Sequence, residues 1–208
     1  TSMFRVKIQK ASKRFHNEWV FKNLDLELVS GTTMAVTGGN GSGKSTFLKC
    51  LSGAIPLTNG SMEFELDSKS IAQENWFRTL SIATPYLELP EEFTLVEALN
   101  FHFQFKRPLN QWSVKEIIVH MGLEKHQNKF ISQFSSGMRQ RVKLALALFS
   151  EVQLILLDEP TSNLDKQGIA WYADLVAQYT LDRILVICSN EPREYTFCEK
   201  KIRMEDFK

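Results

Sequence analysis

The sequence lacks both an excess of charge and a long hydrophobic run, and each absence excludes a class of function. Its 208 residues carry 25 Lys and Arg against 24 Asp and Glu, for a formal net charge of +1. Such a balance creates no overall field that would attract nucleic acid or anionic lipid. No apolar run approaches the roughly 18 residues needed to cross a bilayer. We therefore expect a protein that binds no nucleic acid and has no membrane span of its own.

Cysteine and histidine are scarce, and their spacing argues against disulfide scaffolds and metal sites. The three cysteines form no CxxC pair and cannot all pair within one chain, which favours a reduced, intracellular setting. The four histidines show no metal-ligand spacing. The sequence also has no repeats and no linkers, and its 43% hydrophobic and 24% charged residues are typical of globular proteins. At this length we expect one domain over residues 1–208.

Hydrophobic spacing predicts a strand-rich beginning and a helical middle. Alternating apolar residues before position 30 indicate antiparallel strands. A short apolar strand at 33–37 is followed by a helix at 46–51. Residues from about 87 to 150 lack continuous apolar strand runs and show helical spacing at 96–99, 114–121 and 138–149. We expect a mostly helical lobe there.

The last third of the chain has a different pattern. Unbroken apolar runs at 152–157 and 184–188 are typical of strands buried on both faces of a parallel sheet. Residues 168–179 between them have the character of a crossover helix. This strand–helix–strand order indicates an α/β protein.

A glycine-dense segment lies between the predicted strand at 33–37 and the helix at 46–51. It reads glycine, four residues, glycine, lysine and serine, and consists of Gly38, Gly39, Asn40, Gly41, Ser42, Gly43, Lys44 and Ser45, followed by Thr46. Glycines let backbone N–H groups wrap a phosphate closely, and a helix N-terminus adds partial positive charge. Lys44 would meet the outer phosphates, and Ser45 offers a hydroxyl to Mg²⁺. We expect a phosphate site; the alternative is a flexible loop that caps the helix.

Two adjacent acids, Asp158 and Glu159, follow the apolar run at 152–157. Open α/β sheets bind ligands beyond the carboxyl ends of their strands, and the glycine-dense loop ends its own strand at that edge. Asp158 can hold Mg²⁺, while Glu159 can orient and deprotonate a water aimed at a terminal phosphate. The alternative is an acidic strand end that caps the next helix.

A third feature is the start of the helix predicted at 138–149, which Ser135, Ser136 and Gly137 precede. Hydroxyl residues and a glycine at this place leave backbone N–H groups that can accept an anion. A plain helix cap would have the same sequence. Taken alone, the segment is better explained as structural.

The segments 38–46, 134–141, 154–159 and 162–165, in this order, resemble those of the nucleotide-binding subunits of ABC transporters. The resemblance implies an α/β fold: a P-loop NTPase core with a mixed, mainly parallel sheet, an N-terminal antiparallel β subdomain and an inserted helical subdomain at about 87–150. It implies a head-to-tail homodimer in which each ATP, with Mg²⁺, lies between one P-loop and the other subunit's signature helix. A transmembrane permease subunit at the cytoplasmic face of the cell membrane would be the partner.

The same resemblance gives roles to further residues. It places a signature motif, which acts in trans, at Ser135, Ser136, Gly137 and Met138. It places a D-loop, which follows the acidic strand end, at Ser162 and Asp165. The family stacks adenine on an aromatic ring near the amino end, and Phe15 is at the matching position. An aromatic residue there could equally belong to the core.

Three positions depart from the family pattern. In the family a glutamine contacts Mg²⁺ and the attacking water, and the matching position in this sequence is Pro85 or Tyr86. Tyr86 or Glu88 would have to substitute for it, and we expect Glu88 to be the Mg²⁺ contact. Asn190 stands where the family has a histidine that contacts the γ-phosphate. An amide can donate a hydrogen bond but cannot become cationic, so we expect slow turnover. Met138 replaces a more common glutamine.

The sequence thus predicts an ATPase subunit of an ABC transporter, with Lys44, Glu159 and Asn190 as catalytic residues. One alternative is a nucleotide switch with little hydrolysis, which the changes at 85–88 and 190 suggest. Another is a soluble ABC-type ATPase that acts on a cytosolic complex or nucleic acid. The near-zero net charge argues against this last class.

Overall fold

A computed structural model describes residues 2–208 and shows an antiparallel sheet at the beginning of the chain. Its strands are β1 (Phe4–Phe15), β2 (Glu18–Val29), β4 (Asn59–Leu66) and β5 (Lys69–Ile71), in the order β2–β1–β4–β5. Phe4, Val6 and Ile8 alternate along β1 and are buried because one face of the sheet packs on the core. The antiparallel strands predicted before position 30 are confirmed.

A second sheet forms the centre of the molecule. Its strands are β3 (Thr33–Thr37), β6 (Leu80–Ala83), β7 (Leu154–Asp158), β8 (Ile184–Cys188) and β9 (Lys200–Arg203). They are parallel throughout, in the order β6–β7–β8–β3–β9. The strands predicted at 33–37, 152–157 and 184–188 are confirmed. The apolar pattern did not predict β6 and β9, which are the two outermost strands of this sheet.

Apolar layers cover both faces of the second sheet, which explains why every residue of β7 and β8 is buried. Leu156 and Val186 face the layer shared with the first sheet. Ile155 and Ile187 face the opposite layer, which the helices cover. The chain is therefore an α/β protein in which the antiparallel and parallel strands form separate sheets.

The helices are α1 (Lys44–Leu51), α2 (Leu95–His102), α3 (Val114–Met121), α4 (Ser136–Leu148) and α5 (Lys166–Tyr179). Each helix predicted from apolar spacing is confirmed, with ends moved by a few residues. Helices α2 and α3 begin at capping boxes, in which Thr94 pairs with Glu97 and Ser113 with Glu116. Short 3₁₀ turns complete the fold: Gln73–Arg78, Leu109–Gln111, Glu124–His126, Ile131–Gln133, Pro192–Glu194 and Met204–Phe207.

The carboxyl ends of β3, β7 and β8 meet at one edge of the central sheet. Pairing places Val36 beside Cys188 and Cys188 beside Asp158. The glycine-dense loop, the two acids and Asn190 leave the sheet at this edge, which is where open parallel sheets bind ligands. Among residues 2–208 no helix has both the length and the apolar character that crossing a membrane requires.

Candidate functional site

The loop between β3 and α1 is shaped by glycine at its last position. Gly43 is the N-cap of α1 and has a φ of 107°, in the region that disfavours side chains. A Cβ built on Gly43 would lie 2.5 Å from Cγ1 of Val20, so both conformation and space require glycine. Lys44, Ser45 and Thr46, the first residues of α1, line a cavity of about 490 Å³, and the N-terminal end of a helix attracts anions.

Lys44 and Ser45 occupy the first turn of α1 and connect the loop to the neighbouring strands. The buried Lys44 Nζ donates to the carbonyl oxygens of Gly38 at 2.6 Å and Gly39 at 3.1 Å. The Ser45 hydroxyl donates to Oδ2 of Asp158 at 2.7 Å, across a separation of 113 residues. The structure therefore brings together the lysine, the hydroxyl and the first acid that the sequence pattern singled out.

Asp158 lies at the buried end of β7, with 4% of its surface exposed. Burial raises the pKa of its carboxyl, and the neighbouring carboxylates of Glu159 and Glu194 act in the same direction. The Ser45 hydrogen bond and the Lys44 charge oppose the shift. A cation beside Asp158 would favour the charged form of this carboxylate. The group of two oxygen donors, one of them a carboxylate, fits the ligand preference of Mg²⁺.

Glu159 differs from Asp158 in exposure and in backbone conformation. Its side chain is exposed and lines the same 490 Å³ cavity as the loop. Its φ is +48°, an unusual value for a residue other than glycine, and its N–H donates to the carbonyl of Cys188 at 2.9 Å. The two adjacent acids thus face different surroundings, one buried against Ser45 and one open to the cavity.

The outer wall of this cavity holds an aromatic ring. Phe15 ends β1 with 47% of its surface exposed, and the Lys13 ammonium lies 4.9 Å from its ring centroid. Val20 lines the cavity beside it, in an irregular stretch of β1–β2 pairing. Periodicity alone did not indicate Val20, because its position depends on this irregular pairing. Phe15 is accordingly a wall residue with an accessible face and is not part of the core.

Asn190 follows β8 and contacts the glycine-dense loop directly. Its Oδ1 accepts a hydrogen bond from the N–H of Gly38 at 3.2 Å. A second cavity of about 490 Å³ has Asn190 on one side and Glu159 on the other. Asn40 lines both cavities, which makes them neighbours along the same edge of the sheet. Asn190 is therefore close to the loop in which a terminal phosphate would lie.

Comparison with known proteins agrees with this arrangement. Residues 21–162 match the family model described as ABC transporter. The chain belongs to the ABC transporter family. A relative from Haemophilus influenzae, an uncharacterized ABC transporter ATP-binding protein, is 31% identical over 189 residues that cover 91% of this chain and 77% of the relative. The chain is thus a nucleotide-binding subunit of an ABC transporter.

Two further comparisons extend over nearly the whole chain. The uncharacterized ABC transporter ATP-binding protein YybJ of Bacillus subtilis is 26% identical over 202 residues, which cover 96% of this chain and 92% of the relative. A dimeric ATP-binding cassette, solved in a post-hydrolysis state with ADP and phosphate, superposes with a TM-score of 0.81. It shares 23% sequence identity and covers 95% of this chain and 93% of its own. This likeness supports the α/β fold of an ABC ATPase cassette.

The segment in which ABC ATPases usually carry a glutamine brings Tyr86 to the site. Tyr86 is 74% exposed, lines the cavity of the glycine-dense loop, and has the Lys49 ammonium 5.7 Å from its ring centroid. Glu88 does not line that cavity. It lines a different one of about 910 Å³, together with Glu91, Arg139 and other residues. Of the two substitutes considered for the glutamine, the structure places Tyr86 beside the loop.

The signature segment lies at the start of α4, outside both cavities that border Glu159. Ser135 is exposed and caps α4 by accepting the N–H of Met138 at 3.2 Å, and Ser136 beside it is also exposed. A Cβ on Gly137 would lie 2.9 Å from the carbonyl oxygen of Asn163. Met138 packs partly against the helical layer. These exposed hydroxyls at the start of a helix lie outside the two cavities and are accessible to a second molecule.

The segment 160–165 connects the two acids to α5 and contains the residues expected to form a D-loop. The N–H of Ser162 donates to the carbonyl of Glu159 at 3.0 Å and closes a turn. Asp165 caps α5 by accepting the N–H of Gly168 at 2.7 Å. Thr161 in this loop is 3% exposed, and its environment was not apparent in the sequence. Ser162 lies in the wall of the second cavity, whereas Asp165 has a capping contact.

Proposed function

We propose that this subunit binds Mg-ATP at the loop 38–46 and hydrolyses the bond to the γ-phosphate. The observation that carries the proposal is the 2.7 Å contact between Ser45 and Asp158, because Ser45 lines the same cavity as Glu159. One hydroxyl and one buried carboxylate would hold Mg²⁺, which takes its remaining ligands from phosphates and water. Within residues 2–208 no group of three or more metal-binding side chains forms a cage. The site therefore fits a nucleotide-bound ion.

The proposed mechanism assigns one task to each residue. Loop N–H groups and Lys44 neutralise and orient the phosphates. Glu159, open to the cavity, takes a proton from the attacking water. Bound Mg²⁺ would supply positive charge at the phosphate oxygens. Asn190 donates a hydrogen bond to the γ-phosphate but adds no positive charge, so turnover is slow. Adenine stacks on the exposed face of Phe15.

We further propose a head-to-tail homodimer, in which Ser135, Ser136 and Gly137 of one subunit complete the other's ATP site. Their position on the exposed start of α4 supports this arrangement, because N–H groups at that end attract phosphate. In this arrangement Ser162 and Asp165 border the dimer interface. Tyr86, and not Glu88, takes the place of the missing glutamine, because Tyr86 lines the nucleotide cavity.

A transmembrane permease at the cytoplasmic face of the membrane is the proposed partner. An apolar groove of about 270 Å³ lies between β6 and α2 and includes Leu87, Phe101 and Phe105. Phe101 and Phe105 are 49% and 67% exposed. The groove adjoins Tyr86 in sequence, so an occupant there would be linked to the nucleotide cavity. Co-purification with a membrane protein tests this role against that of a cytosolic ATPase.

Two variants of the purified chain test the proposed activity. Lys44→Ala should weaken Mg-ATP binding about 100-fold or more, because it removes the charge that meets the outer phosphates. Glu159→Gln should bind Mg-ATP as the native chain does and lose about 100-fold in phosphate release. Lys115→Ala, on the exposed face of α3, is the matched control and should change neither quantity.

The same measurements separate hydrolysis from a switch function, which Asn190 and Tyr86 favour. A native chain that binds Mg-ATP but releases phosphate no faster than a sample without protein would be a nucleotide switch. If the native chain released phosphate above that background and Glu159→Gln kept the native rate, Glu159 would not be the base. If Lys44→Ala bound Mg-ATP normally, the phosphate site would lie elsewhere.

A further inference from the structure

Glu194 is a buried carboxylate in the wall of the second cavity, four residues after Asn190. It is 2% exposed and ends the 3₁₀ turn Pro192–Glu194. A carboxylate is unfavourable in such a place unless donors compensate for its lost hydration. Its hydrogen-bond partners therefore indicate what it holds in position.

Both donors that reach the Glu194 carboxylate come from Thr161. The Thr161 N–H donates to Oε1 at 2.7 Å, and the Thr161 hydroxyl donates to the same oxygen. Behind this contact, the Tyr172 hydroxyl of α5 donates to the carbonyl oxygen of Glu194 at 3.4 Å. The 3₁₀ turn after β8 is thus joined to α5, and through Glu194 it holds Thr161, which lies two positions after Glu159.

The turn 159–162 has a backbone that depends on its surroundings. Glu159 has a left-handed φ of +48°, which a residue with a side chain keeps only where neighbouring contacts impose it. Its carbonyl accepts the N–H of Ser162, so Pro160 and Thr161 form the middle of the turn. Gln140 Nε2 of α4 donates to the carbonyl oxygen of Pro160 at 2.8 Å. The carboxylate of Glu194 accepts the N–H of Thr161, the residue that follows Pro160.

We propose that Glu194 is a positioning residue for Glu159. By binding the N–H and the hydroxyl of Thr161, it fixes the turn 159–162 and keeps the Glu159 carboxylate directed into the cavity. Glu194 makes no hydrogen bond to the loop 38–46, so its contacts act on the orientation of Glu159 and not on the nucleotide. Its charge also acts on Asp158, and the variant Glu194→Gln, which lacks the charge but keeps the oxygen, separates that effect from positioning. The inference rests on the proposed role of Glu159 as the base.

Substitutions of Glu194 test the inference in the full chain. Glu194→Ala should lower kcat for phosphate release about tenfold or more, with the Kd for Mg-ATP within about threefold of native. Glu194→Gln keeps an oxygen for both Thr161 donors and should restore kcat to within about threefold of native. Oε2 of Glu194 has no hydrogen-bond partner within residues 2–208, so the amide nitrogen that replaces it in Glu194→Gln breaks no hydrogen bond. Glu199→Ala, an exposed acid before β9, is the control.

A double-mutant cycle shows whether the effect passes through Glu159. In the Glu159→Gln background, Glu194→Ala should cause no further loss of kcat. The inference is overturned if folded Glu194→Ala keeps the native kcat, if Glu194→Gln loses as much as Glu194→Ala, or if the two losses multiply. Should Glu194→Ala fail to fold, Thr161→Val removes only the hydroxyl donor, and its native kcat would equally overturn the inference.

The outcomes also distinguish this inference from the proposed function. Native turnover in Glu159→Gln would refute the proposed base, whatever Glu194 does. Loss of turnover in Glu159→Gln with native turnover in folded Glu194→Ala would refute only the positioning role. Thermal unfolding of each variant separates these cases from a general loss of stability.

Discussion

Gly41 and Gly43 of the loop 38–46 both have positive φ, but an added side chain would meet different surroundings at the two positions. Gly41 has a φ of +75°, and a Cβ there would have no atom within 4 Å. Gly43 has a φ of +107°, and its Cβ would meet Val20 Cγ1 at 2.5 Å. Alanine at 41 would thus introduce backbone strain alone, whereas alanine at 43 adds a steric clash.

The expected result is a graded loss of stability. Gly41→Ala should lower the free energy of unfolding by about 1–2 kcal/mol, and Gly43→Ala by at least about 1 kcal/mol more. For a chain of this size each kcal/mol corresponds to about 2–4 °C in Tm. Thermal unfolding measures both variants, and Gly43→Ala combined with Val20→Ala should recover part of the difference. Equal Tm values for the two single variants would contradict the role of Val20.

The residues of this site that could be predicted from the sequence belong to local sequence patterns, and those that could not be predicted do not. Lys44, Ser45 and Asp158 belong to local patterns, and the structure joins them because β3 and β7 end at one sheet edge. Glu194 and Thr161 are 33 residues apart, and neither is part of a pattern that implies a contact. Their relation depends on the path of the chain after β8, which apolar spacing does not specify.

At the scale of single elements, α2 carries a partly buried histidine that makes the fold sensitive to acid. Burial, helped by the nearby Lys106 ammonium, lowers the pKa of His102 from 6.5 to about 4. The His102 Nε2 lies 2.9 Å from the Ser150 hydroxyl. Because that hydroxyl donates to the carbonyl of Leu146 at 2.6 Å, Nε2 must donate to Ser150, which a neutral imidazole can do.

The sign of the resulting pH dependence follows from proton binding. Between pH 6.5 and about 4 the unfolded chain binds a proton at His102 that the folded chain does not bind, so the free energy of unfolding falls as pH falls. We expect His102 to account for about 1–3 kcal/mol of the loss between pH 7 and pH 4. In urea unfolding, His102→Gln should flatten this dependence, and the exposed His16→Gln should not. An unchanged slope in His102→Gln would refute the assignment.

Elements with strong local patterns were predicted well, and edge elements were not. Helix α3 has the bounds that its apolar spacing predicts, and the structure shows that a Ser113–Glu116 capping box fixes its beginning. Strand β8 was predicted because both of its faces are buried. Strand β9 has three exposed residues among its four, so it has no apolar run. Strand β9 is fixed by pairing with β3, which lies 163 or more positions away, and the other edge strand, β6, is fixed by pairing with β7.

At the scale of the whole molecule, the cavity beside Lys44 and the exposed start of α4 are separate features of the chain. The loop 38–46 and Glu159 line one cavity, and Ser135 lies outside it at the exposed start of α4. If two chains pair head to tail, Lys44 of one acts with Ser135 of the other. Two inactive variants can then complement each other, because a mixed dimer contains one site with both residues intact.

We predict that Lys44→Ala and Ser135→Glu chains are each inactive and that an equal mixture regains phosphate release. Random pairing gives mixed dimers in half of the molecules, each with one of two sites intact, so recovery should reach about a quarter of the native rate per chain. The carboxylate at 135 would face phosphates in trans and repel them. A mixture of Lys44→Ala with the Lys44→Ala/Ser135→Glu chain has no intact site and serves as the control. An inactive first mixture would contradict the head-to-tail arrangement, because sites built within one chain cannot be repaired by exchange.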